Sequence, residues 1–153
     1  MIAKRPAPCI SAGFAVALVI AAGGAGDVRA AEADPRTPIR LPADMRVAFL
    51  AEMRTHMDSL DDIIAAIAGA DFKAAAKVAR DELMPGSGKG FGRYLPIEFR
   101  ELGLDMHRAA ADFAAIADAA AAPPTDADWR KVLTALNAIS QHCRACHDAF
   151  RVE

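Results

Sequence analysis

The chain has 153 residues, a length that suits one domain, and its formal net charge of −2 excludes the strongly basic surface that nucleic-acid binding needs. It is 54% hydrophobic but only 6% aromatic; the excess is alanine, which favours helix over strand. At 25% charged residues it is neither disordered by composition nor a polytopic membrane protein. Composition leaves a small, Ala-rich helical domain.

Residues 1–30 read as a cleaved secretory signal peptide. Lys4 and Arg5 precede an uncharged, small-residue-rich run from Ile10 to Gly26, and Val28-Arg29-Ala30 places small or apolar residues at the −3 and −1 positions of a cut after Ala30. Ala31-Glu32-Ala33 offers a second cut after Ala33. The competing reading is an uncleaved anchor, for which the run is at the short limit of a membrane span. Cys9 precedes the hydrophobic run, which is the wrong order for a lipoprotein. Cleavage after Ala30 removes Lys4, Arg5, Arg29 and Asp27, leaving 15 Lys and Arg against 19 Asp and Glu, a formal charge of −4. Only Cys143 and Cys146 then remain, in an oxidising, periplasmic compartment.

Residues 31–42 carry Pro35, Pro38 and Pro42 and are expected to form an extended leader without regular structure. Residues 43–153 read as the folded domain. A first helix starts near Pro42 or Asp44, with apolar residues at Leu50, Met53, Met57, Leu60, Ile64 and Ile67, and Gly69 as its stop. A shorter helix over 71–84 carries Phe72, Ala76, Ala79 and Leu83, and Pro85 ends it. Residues 85–95 are glycine-rich; Lys89 is followed by Gly90 instead of Ser or Thr, so this is a connection and not a phosphate-binding loop. From Pro96 a third helix runs to about Ala121 with the stripe Phe99, Leu102, Met106, Ala109, Phe113 and Ile116. After Pro123-Pro124, Thr125 and Asp128 form a weak variant of the capping box. The last helix carries Trp129, Val132, Leu136, Ile139, Cys143, Cys146 and Phe150. Steps of three and four put each stripe on one face, and short connections make successive helices neighbours. The expected fold is all-α, an antiparallel four-helix bundle.

The last stripe contains Cys143-Arg144-Ala145-Cys146-His147, the C-x-x-C-H pattern of c-type haem attachment. Residues three and four apart lie side by side on a helix, so both thiols and the imidazole project from one face. Two thiols at that spacing can add to the two vinyl groups of one haem, and His147 is then held at the iron as proximal ligand. A thioredoxin-like site would want a βαβ pattern that is absent. Zinc is the serious competitor, because His142 makes the run His-Cys-x-x-Cys-His; yet four ligands on one helix cannot easily surround a tetrahedral ion, and structural zinc sites draw on two segments.

The motif lies six residues before the C-terminus and is followed by Asp148-Ala149-Phe150-Arg151. In this the chain resembles the class II cytochromes c, the group of cytochrome c′ and the low-spin cytochrome c-556-type proteins. Arg46 to Met57 also looks like that family's first helix, which faces the distal side of the haem. The resemblance covers the layout of the whole mature chain but specific letters only at residues 143–151. It implies one covalently attached haem c near the end of the last helix of a four-helix bundle. It also divides members by the sixth iron position, which is methionine from helix 1 in low-spin members and vacant behind an apolar side chain in cytochromes c′. Met53 is the expected sixth ligand. Met57, Met45 and His56 compete with it, Leu50 would be the blocker of a vacant site, and core packing is the ordinary role of such methionines. His56 is expected at the flank of its stripe, His107 at a helix boundary, and His142 about 100° from Cys143 and so a poor ligand for the same haem.

The expected function is that of an exported monohaem c-type cytochrome carrying single electrons between redox partner proteins, not an enzyme. The alternatives are a five-coordinate protein binding NO or CO, and a zinc-binding module without haem. No nucleic acid partner and no membrane span after cleavage are expected; helix faces unused by the haem could mediate a homodimer.

Overall fold

The computed structural model describes residues 34–85 and 90–153. The expected signal peptide and both cleavage positions lie outside the described residues, as do residues 86–89 of the glycine-rich connection. Four helices carry the domain: α1 (Ala43–Ala68), α2 (Phe72–Glu82), α3 (Ile97–Asp118) and α4 (Asp126–Ala149). A short 3-10 turn (Phe91–Tyr94) precedes α3. The all-α expectation holds, and among the described residues no helix is long and apolar enough to cross a membrane.

Helix ends follow local chemistry. Pro42 and Pro96 immediately precede α1 and α3, where a missing N–H costs nothing. Gly69 caps α1, but Ala70 takes the left-handed conformation (φ 58°) that reverses the chain. The Asp71 side chain then accepts from Ala74 N at 2.9 Å to start α2. Thr125 and Asp128 make a complete capping box, each side chain accepting from the other's backbone N–H (3.2 and 3.0 Å). The third helix stops at Asp118, short of the expected Ala121. Asp118 accepts from Arg80, and its carbonyl accepts from Lys73, so the end of α3 is tied to α2.

Helices α1 and α2, α2 and α3, and α3 and α4 pack on one another. Their core is built largely from alanine: Ala75, Ala76, Ala79, Ala110, Ala114 and Ala117 are fully buried around Phe113, Ile63, Val132 and Ile139. Small side chains let helix backbones approach closely, and Phe72 fills one end by meeting Trp129 edge-on at 4.8 Å. On α1 the core-facing residues are Phe49, Ser59, Ile63 and Ile67, whereas Met57 and Ile64 of the expected stripe are exposed. Towards the end of α3, Ala117 is buried and Ile116 is not, because the 3.6-residue period drifts from a strict 3-4 alternation.

The leader corrects the sequence reading. Thr37–Ile39 forms a strand, β1, paired in parallel with β2 (Phe150–Val152), in the register Thr37 to Phe150 and Ile39 to Val152. Phe150 therefore opens a strand and does not extend the α4 stripe. Ile39 is buried and its carbonyl accepts from Glu153 N at 3.0 Å. Asp34 holds Arg36, Arg40 pairs with Glu153, and Arg36 Nη1 donates to His147 O at 3.3 Å. The start of the domain is thus strapped to the end of α4.

Candidate functional site

Helix α1 approaches α3 and α4 sparsely, and the space left between them is a cavity of about 630 Å³. That volume lies within the range of about 300–1,000 Å³ usual for small-molecule and cofactor sites. From α1 come Phe49, Met53, His56, Met57 and Leu60; from α3, Phe99, Leu102, Met106 and His107; from α4, Ile139, His142, Cys143, Cys146 and His147. Phe91 and Arg93 of the 3-10 turn close one side, reached through a left-handed turn at Gly90 (φ 78°). Phe91, Phe49 and Phe99 of this wall meet in sequence and continue to Phe150 behind it, at ring separations of 5.5, 5.7 and 5.4 Å. This row of rings runs from the glycine-rich connection to the strap.

All three side chains of the C-x-x-C-H pattern line this one cavity. Cys143 and Cys146 are half-buried and free, and His147 is exposed. Burial pushes the Cys143 thiol up; burial and the neighbouring Cys143 push Cys146 up to about 11. Both thiols are therefore protonated at neutral pH, and thiolate-driven oxidation is slowed in the folded chain.

Of the expected distal residues, Met53, Met57 and His56 line the cavity; Leu50 and Met45 do not belong to its wall. Met53 is half-buried, whereas Met57 is 58% exposed. His107 corrects its expected boundary position: it sits half-buried within α3, with Nδ1 2.6 Å from Leu83 O. A carbonyl only accepts, so Nδ1 carries a proton and donates it to this bond. His56 meets His107 edge-on at 5.8 Å. Burial, reinforced by His107 and opposed by Glu52, holds His56 below the usual histidine range, so it is neutral at pH 7. No local pattern signals the His56–His107 contact, since the two residues lie on different helices.

This arrangement can hold a flat, apolar cofactor by two thioether bonds and one imidazole. Among the described residues, no group of three or more His, Cys, Asp or Glu side chains is arranged to hold a metal ion directly. Comparison with models of protein families, with curated proteins and with solved structures returns no match.

Proposed function

We propose that this chain is an exported monohaem c-type cytochrome, similar to the class II cytochromes c, that carries single electrons between redox proteins of the periplasm. In this reading the four helices form an antiparallel bundle around one haem c. The observation that supports it is that Cys143, Cys146 and His147 line one apolar cavity of cofactor size. The residues present fit the group: the thiols are free and the walls are aromatic and aliphatic. The half-exposed apolar surface of Met57 and Leu104 on the lining would be covered by a ring.

Bound haem supplies a one-electron iron couple. Cys143 and Cys146 would hold its ring, and His147 and Met53 would be its iron ligands from the protein, a thioether favouring a higher potential than a second histidine. His56, neutral and on the same wall, is the competing ligand. We assign no enzymatic role to the titratable groups around the apolar wall. A zinc module would need ligands from a second segment beside Cys143, Cys146, His142 and His147.

The test is expression with export and haem-attachment machinery, followed by an absorption spectrum and a denatured mass. A haem that survives denaturation is expected. Cys143→Ala or Cys146→Ala should leave at most one thioether, and His147→Ala should remove the proximal ligand. A wild-type chain without a Soret band, or normal double attachment in the double cysteine variant, overturns the reading. A high-spin ferric spectrum with ready CO binding would instead favour the five-coordinate alternative.

A further inference from the structure

The cavity wall is mainly apolar, yet two guanidinium groups stand on it. Arg93 comes from the 3-10 turn and Arg100 from the first turn of α3; both are exposed, which places them at the cavity mouth. They lie close in the fold, since the Arg100 Cδ passes 4.0 Å from where a Cβ on Gly92 would sit. Neither pairs with a carboxylate among the described residues, whereas Arg36, Arg80, Arg108 and Arg151 all do. Arg93 instead stacks on the Tyr94 ring, its Cζ 4.8 Å from the centroid. Stacking occupies a face of the guanidinium and leaves the in-plane N–H donors available for a bidentate acceptor.

An exposed arginine is ordinarily only solvated. What distinguishes this pair is the juxtaposition of two uncommitted forks with an apolar cavity that is open beside them. A ligand matched to that surface is amphiphilic, with an apolar plate inside and carboxylates at the mouth. We infer that Arg93 and Arg100 form a carboxylate clamp which, on the reading of the cavity as a haem site, takes the two propionates.

The test is the midpoint potential of the haem-loaded protein as a function of pH. A cation beside a carboxylate lowers its pKa by about 1–3 units, so the clamp keeps the propionates ionised through the neutral range. Arg93→Gln and Arg100→Gln should each move the propionate-linked fall of potential to higher pH by about one unit, and the double variant by more. Arg→Lys at either position should restore much of the shift. Arg130→Gln, an exposed arginine on the separate groove between α3 and α4, should leave the profile unchanged. Among the described residues, the other titratable groups on the wall are Glu52 and His56 of α1, His107 of α3, and His142, Cys143, Cys146 and His147 of α4; all are retained in every variant. A haem-loaded double variant that titrates like Arg130→Gln overturns the clamp alone. Absence of covalent haem from the wild-type protein overturns the cytochrome reading and the clamp with it.

Discussion

The two ends of this helical domain solve opposite problems with the same kind of helix. At one end α2, α3 and the first half of α4 close on alanine, with Phe113 and Val132 filling what remains. At the other, α1 stands away from α3 and α4, and large side chains line a cavity instead of filling it. Where small residues face each other, backbones approach and little can be inserted. Where Phe49, Met53, Leu102 and Met106 face one another, the helices are held apart and a ligand can enter. Residue size thus separates a stabilising region from a receiving one.

That contrast can be broken experimentally. The largest effect should come from Phe113→Ala in the closed end, where a fully buried ring is lost and a cavity remains. Denaturant unfolding should show a loss of about 3–5 kcal/mol. Next, Ala110→Leu should cost about 1–3 kcal/mol by overpacking, while Met57→Leu, on the half-open wall, should cost under about 1.5 kcal/mol. Equal losses at the two positions would show that the cavity end is packed as tightly as the alanine end.

The receiving end is sharpened by spectroscopy. On the proposed reading of the cavity as a haem site, Met53→Ala should convert a low-spin haem to high-spin without removing it, whereas Met57→Ala, Met45→Ala and His56→Ala should not. If another of the four alone changes the spin state, the sixth ligand is misassigned to Met53. His56 adds a pH effect on the fold. Its folded pKa lies below the unfolded value of about 6.5, so the unfolded chain binds the proton more readily. The stability it contributes is present above that pH and is lost as pH falls from there through the folded value. His56→Gln should flatten this part of the stability profile.

The smallest effect belongs to the strap. Asp34 is held down to about 2 by its hydrogen bonds to Arg36, and Glu153 is lowered by Arg40 and Arg151. Their contribution is present above the unfolded carboxylate range and is lost as pH falls through the folded values, so the strap should loosen between about pH 4 and 2. Amide exchange of residues 37–39 should rise in that window, and Asp34→Asn should raise it at neutral pH. Unchanged protection in both would show that the backbone pairing and buried Ile39 suffice.

Much of this molecule is written locally in its sequence. Pro42, Gly69, Pro85, Pro96 and the Thr125–Asp128 pair mark helix ends because capping and proline geometry act over a few residues. The spacing of Cys143, Cys146 and His147 sets them on one face for the same reason. Tertiary structure decided what spacing along one helix leaves open. On α1 two adjacent faces are apolar, and only tertiary packing placed Ile63 and Ile67 in the core shared with α2 and left Phe49, Met53 and His56 to the cavity. The pairing of residues 37–39 with 150–152, the Leu83 carbonyl that orients His107, and the His56–His107 ring contact join segments whose proximity no local pattern encodes. Such contacts depend on how helices of different side-chain size settle against one another, and that is fixed only when the core closes.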